Sequence, residues 1–362
     1  MSYKAQFACR RFSLLFVHLL FCLLAFSQKK AEVVVDHRFD AVDQLFKQNQ
    51  KTLGNNFVAL VWKDDKILYQ KQGSADFTAK TQAPIVSAAN WMTAALVMTF
   101  VDEGKLSLDD KVTQYIPLFG KYSKGYITIR NCLTNTTGIK VEEGVKKPEK
   151  SRYETLEDEV NAFASRRDIG TNPGTEFFYS NLGPNIAARV LEIVSKKSFD
   201  RLMQERIIRP LKMHGTSFTS DDGGAVNPAG GAHSTANDFI SFLTMLLNKG
   251  VSGDKRILSE KAVAEMETAQ FISLPVKYVP KELQGAQFGL GNYIMGTGAV
   301  GAPAAGTAAV LICPNGLGTT VYIDKCRNYA AILIVAKPEE EKKPLYQSMM
   351  NLINEVLGGD CK

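Results

Sequence analysis

Histidine is scarce in this chain: there are four in 362 residues, and the three beyond residue 27, His37, His214 and His233, stand singly. No Cys-x-x-Cys occurs either, so the ligand spacing of a zinc site is missing. The absence of Gly-x-Ser-x-Gly removes the strand-to-helix elbow on which an α/β-hydrolase triad is built. Charge of one sign is also in short supply, with 43 Lys and Arg against 37 Asp and Glu. Lys4, Arg10 and Arg11 account for half of the +6 surplus. The remaining excess is too small for a nucleic-acid footprint. Only one long apolar run is present, Phe12 to Phe26. It is shorter than the roughly 20 residues a membrane-spanning helix requires.

That run follows three basic residues and ends at Ala25 and Ser27, small side chains at the positions a signal peptidase reads. Residues 1–27 are therefore expected to be a secretory signal, with cleavage after Ser27. The remainder is expected to be an exported chain, periplasmic or extracellular, without a transmembrane segment. A lipoprotein signal at Cys22 is disfavoured because the bulky Phe21 precedes it.

Composition from residue 28 onward is ordinary for a globular protein, and the length suffices for a large core. Export would permit disulfides among Cys132, Cys313, Cys326 and Cys361. The three possible connectivities stay open, except that Cys313 and Cys326, at opposite ends of a predicted hairpin strand, are not expected to pair.

Periodicity predicts a helix over 39–52 and a hairpin of strands 57–62 and 66–72 turning at Asp64-Asp65. Helical patterns then dominate: 87–103, 155–165, 184–196, 198–208, 234–248 and 259–267. Strands are predicted at 287–295, 306–313, 318–325 and 329–336, and a helix at 343–357. Residues 141–152 and 339–343 read as exposed loops. Strands at both ends of a helical middle imply an α/β chain of the α+β type: one antiparallel sheet completed by both termini, flanked by helices, with an inserted helical lobe. The expected division is a single domain over 28–362, with a sheet lobe at 40–86 and 285–357 and a helical lobe at 87–284.

The segment from Ile85 to Met98 is apolar almost all round, which marks a buried helix. Ser87 stands at its start. A serine there is ordinarily an N-cap, but its oxygen also lies at the positive end of the helix dipole, where a developing anion is stabilised. The wider sequence favours the second role. Asp102-Glu103-Gly104-Lys105-Leu106-Ser107-Leu108-Asp109-Asp110 comes next, then Leu133-Thr134-Asn135-Thr136-Thr137-Gly138, Phe178-Tyr179-Ser180-Asn181, Gly230-Gly231-Ala232-His233-Ser234 and Phe288-Gly289-Leu290-Gly291.

In these blocks and their order, over roughly residues 40–336, the chain resembles the serine β-lactamases, penicillin-binding proteins and related esterases, nearest the class C β-lactamases. The resemblance implies a serine nucleophile with a lysine one turn later, a Tyr-x-Asn whose tyrosine relays the proton and whose asparagine binds the substrate amide, and a Lys/His-x-Gly strand. It implies no cofactor.

Carried over, Ser87 takes the nucleophile's place, and Tyr179 and Asn181 match the second motif. Asn90 replaces the lysine, and an amide cannot act as a base. That removes the usual agent of a step worth roughly 10²–10⁴ in rate. The third motif aligns best with Ala302-Pro303-Ala304, beside Ala305, and offers neither the polar residue nor the glycine. Asn135 stands where the family often has histidine. The other Ser-x-x-Lys strings, at Ser252 and Ser27, lie in a Gly-rich loop and across the cleavage site, and His233 reads as a surface residue before a helix.

Besides a purely structural module, which a closed or side-chain-filled cleft would mark, two functions are compatible with this pattern. One is an impaired enzyme that keeps its cleft, lined by Ser87, Asn90, Tyr179, Asn181, Ala302, Ala304 and Ala305, to bind a small molecule or a peptidoglycan-like peptide. The other is an active esterase, peptidase or β-lactam hydrolase working through acyl-Ser87. A cation within reach of Ser87 or Tyr179 would favour the second; a neutral pocket favours the first.

Overall fold

The computed structural model describes residues 37–141, 153–218, 223–271, 274–279, 283–295, 310–314, 319–336 and 345–359. The predicted signal, the third-motif alignment at 302–305, Cys361 and the loops at 142–152 and 339–343 lie outside them. The chain divides into a unit ending at Asp40 and a unit of Ala41–Lys362.

The centre of the second unit is a seven-stranded antiparallel sheet. Its strands are β1 (Phe57–Lys63), β2 (Lys66–Gln72), β3 (Gln287–Phe288), β4 (Tyr293–Met295), β5 (Val310–Pro314), β6 (Thr320–Asp324) and β7 (Tyr329–Val335). Their order is β3-β4-β5-β6-β7-β1-β2, so both ends of the chain complete one sheet, as the sequence predicts. Leu60 faces Ile332 and Phe57 faces Val335 across the central β1–β7 ladder. Every residue of β7 is buried, which explains its unbroken apolar run, because a strand covered on both faces needs no alternation. Asp64 and Asp65 turn the first hairpin with φ of 51° and 60°, the left-handed pair that a two-residue loop requires.

Some predictions differ from the structure. The expected strand at 287–295 is two short strands that reverse at Gly289–Asn292, where the Gly289 N–H donates to the Asn292 carbonyl (2.9 Å) and Gly291 takes φ +77°. A left-handed glycine ends a strand, which a count of apolar residues does not register. Ser87 is not an N-cap. It lies inside a 3₁₀ turn, Val86–Ala88, ahead of helix α1 (Ala89–Asp102). That turn supplies its own backbone acceptors to Ala89 N–H, leaving the Ser87 hydroxyl without a capping role.

Helix α1 is buried from Ala89 through Phe100, and each large apolar side chain so covered contributes about 1.5–3 kcal/mol. Two further helices frame the site: α2 (Ile129–Leu133), whose Thr128 forms a capping box with Asn131, and α3 (Leu182–Ser195). Thr235 caps the helix Ala236–Leu247, accepting from Asp238 N–H. His233, expected at the surface, is half-buried in a short strand between Pro84 and Ser217.

Cys132 and Cys313 are buried free thiols, and burial pushes both up in pKa. Cys326 is disulfide-bonded. Cys313 faces Val321 within the β5–β6 ladder, so it does not pair with Cys326, as expected.

Candidate active site

Three peptide segments bring the site together. The first is the strained turn before α1. Val86 has φ +44°, a region that a β-branched residue avoids at a cost of about 1–3 kcal/mol. The turn is pinned on both sides: Ile85 N–H donates to the Ala232 carbonyl (2.9 Å), and Ala88 N–H donates back to Ile85 (3.1 Å). Ser87 is thereby carried, half-exposed, at the mouth of the deeply buried α1.

The second segment is Phe177–Asn181. Phe177 N–H donates to Pro275, Phe178 N–H to Asn135 and Tyr179 N–H to Tyr278. Asn135 also accepts from Ser180 N–H through its side-chain oxygen (3.0 Å), and its φ of +55° is one that asparagine tolerates better than most residues. This double hold was missed from sequence; the available signal was an asparagine amid threonines before Gly138. Replacing Asn135 by Ala is expected to cost roughly 2–3 kcal/mol, since it orphans the Ser180 N–H and leaves alanine at a left-handed φ. Asn135→Gly, which accepts that φ, should lose less. Urea unfolding midpoints of the two variants decide this, and equal losses would remove backbone conformation from the account.

The third segment is the β3–β4 turn. A Cβ on Gly291 would stand 2.5 Å from the Asn90 carbonyl oxygen, so only glycine lets this turn lie against the first turn of α1.

At the centre, the Asn90 Nδ2 donates to the Tyr179 phenol oxygen (2.8 Å). Asn90 is only 2% exposed, and its carboxamide oxygen has no partner among the described residues. The Asn90 side chain thus spans from the first turn of α1 to the second motif. Burial pushes the Tyr179 phenol well above its usual range, and the neighbouring Cys313 thiol adds to this. Ser87 and Asn90, beside the phenol oxygen, pull the other way without overcoming it. Phe288 and Tyr293 wall the ring at centroid distances of 6.2 and 5.5 Å. No lysine or arginine figures among the described groups acting on the phenol, and residues 296–309 contain no charged side chain.

The structure thus unites Ser87, Asn90 and Tyr179. No hydrogen bond among the described residues joins the Asn181 side chain to them; it is exposed at the start of α3, with its nitrogen near Gly230. A proton leaving Ser87 would have to go to a phenol already protonated and buried among neutral neighbours. The arrangement can orient a carbonyl or amide by hydrogen bonds more readily than it can ionise the serine.

The β-lactamase family profile matches residues 42–349. The chain belongs to the β-lactamase family. Its relatives include Protein flp of Staphylococcus aureus, 28% identical over 169 residues, 44% of this chain and 34% of that protein. The β-lactamase-family chain therefore spans about a third of the length of the flp relatives it matches. Uncharacterized protein MT1414 of Mycobacterium tuberculosis is 26% identical over 72% of this chain and 78% of its own. Among solved structures, a candidate β-lactamase of Bacteroides dorei is 26% identical with a TM-score of 0.76, covering 88% of this chain and 98% of that one. An octameric penicillin-binding protein homologue of Pyrococcus abyssi, 19% identical over 89% and 78%, shares the fold at a TM-score of 0.70.

Proposed function

We propose that this is an exported β-lactamase-family protein, its residues 1–27 a cleaved signal, that uses the Ser87 cleft to bind a ligand and turns it over poorly or not at all. The observation that carries this reading is the Asn90–Tyr179 hydrogen bond, with no cation among the described groups acting on the phenol. A buried neutral phenol that already accepts from an amide is a weak base, and the loss of general-base assistance forfeits roughly 10²–10⁴ in rate. Asn181, at the cleft's edge, supplies an amide for a carbonyl or peptide group. A small molecule or a peptidoglycan-like peptide is the ligand class this family and these donors fit.

Intact-mass spectrometry of the protein after incubation with benzylpenicillin and with a fluorophosphonate, beside Ser87→Ala, tests the proposal. The expected result is no mass gain in either protein. An adduct confined to the chain that carries Ser87 would overturn the reading in favour of an acyl-Ser87 hydrolase, with Tyr179 relaying the proton.

A further inference from the structure

The turn between β6 and β7, residues 325–328, is fastened to the last described residues of the chain. Asp324 is wholly buried and accepts from the Arg327 backbone N–H (2.8 Å) and from its Nη1 (3.0 Å). So held, the guanidinium turns its other two nitrogens on carbonyls just past helix α4 (Tyr346–Leu357). Nε donates to Gly358 (3.1 Å) and Nη2 to Gly359 (3.3 Å). A cation suits this place, because the carbonyls at a helix C-terminus carry partial negative charge. The rest of α4 is seated by a bond from the Tyr329 hydroxyl to Asn354 Oδ1 (2.8 Å) and by the burial of Tyr346, Met349, Met350 and Ile353.

Cys326 stands in that turn, exposed, and is disulfide-bonded. Its partner is neither Cys132 nor Cys313, which are free thiols. Three cysteines remain: Cys9 and Cys22, in the predicted signal, and Cys361. Proximity separates them. A Cβ built on Gly359 would lie 3.8 Å from the Cγ of Arg327, the residue next to Cys326, and Cys361 follows Gly359 by two positions. Two residues of chain reach up to about 7 Å, and a disulfide joins Cα atoms about 4.4–6.8 Å apart.

From this we infer that Cys326 and Cys361 are joined, and that their bond is a redox-controlled clasp holding the end of α4 to the β6–β7 turn. As sulfur bonds to sulfur, the two thiols give up two protons, and the two electrons released reduce a disulfide oxidant to two thiols. A helix at a chain terminus is otherwise among the first elements to open. A bond closing a loop of about 35 residues opposes that opening by removing conformations from the opened chain. The Arg327 hydrogen bonds break and reform with each opening, whereas the exposed clasp yields only to a thiol reductant. Neither chemistry at Ser87 nor export enters this assignment, so it stands or falls independently of the function proposed above.

Incubation of the whole chain with oxidised glutathione, followed by digestion without reduction and mass spectrometry, tests the pairing. A peptide linking Cys326 to Cys361 is expected. Maleimide should then label neither cysteine. After brief dithiothreitol treatment of the folded protein it should label both, leaving the buried Cys132 and Cys313 untouched. Hydrogen exchange reads the clasp itself: the amides of α4 should exchange about tenfold faster, or more, in Cys361→Ser than in the oxidised parent. Cys326→Ser and the double variant should match Cys361→Ser, since all three lose the same bond. Cys326 linked to Cys9, to Cys22 or to a second copy of the chain would overturn the assignment. So would unchanged exchange of α4 in the variants, or losses that add in the double variant.

Discussion

Gly183→Ala is expected to cost about 3 kcal/mol, the upper end of ordinary overpacking penalties. Its new Cβ would lie 2.0 Å from the Cys132 carbonyl oxygen, 2.8 Å from the carbonyl carbon and 3.0 Å from the Cα. All three are backbone atoms, so no side chain can rotate away, and α3 must shift from α2. The gain in helix propensity on replacing glycine, about 0.5–1 kcal/mol, opposes this and is outweighed. Because Gly183 lies four residues after Tyr179 and two after Asn181, the shift would pass directly into the second motif. Gly104→Ala is the natural control. Gly104 has φ +66° but nothing within 4 Å of the added carbon, so it should lose only about 1–2 kcal/mol. Chemical denaturation of both variants gives the comparison, and a Gly183→Ala loss no larger than the control's would refute the close helix contact.

Asn90→Lys, the substitution that rebuilds Ser-x-x-Lys, is expected to cost about 3 kcal/mol and to leave acylation undetectable. The site offers an ammonium no carboxylate among the groups acting on Tyr179, and a buried unpaired charge costs about 3–5 kcal/mol. Burial would depress the new lysine's pKa below its unfolded value. The unfolded chain would then bind more protons than the folded one, so stability would rise with pH and the loss would be greater at pH 6 than at pH 9. Thermal unfolding at the two pH values, with the fluorophosphonate mass assay alongside, reads both effects. A lysine variant that acylates would show that the impairment rests on position 90 alone.

Much of the fold was legible because its signals are local. The Asp64-Asp65 hairpin, the all-apolar α1 and the strands after residue 310 arise from periodicity and turn residues. Ser87, Asn90 and Tyr179 were marked by spacing and family likeness, and they do converge. Less legible was whatever depends on the backbone's exact path. The left-handed φ of Val86 leaves no trace in composition, since valine is among the residues least expected there. The β3–β4 reversal hangs on Gly291 meeting Asn90, a contact about two hundred residues apart in sequence. The hydrogen bond from Asn90 to Tyr179 was likewise hidden, because an asparagine in a first helical turn has nearer backbone partners.

The placement of β1 between β2 and β7 also sets a timetable for synthesis. Phe57–Lys63 leaves the ribosome long before Tyr329–Val335, its partner in the central ladder. At about 5–20 residues per second the interval is roughly 13–53 s, during which an apolar strand has β2 on one edge and nothing on the other. A hairpin by itself is marginal in water. The newborn chain therefore spends most of its translation with this apolar strand half-paired, its open edge a template for pairing with another chain until Tyr329–Val335 arrives.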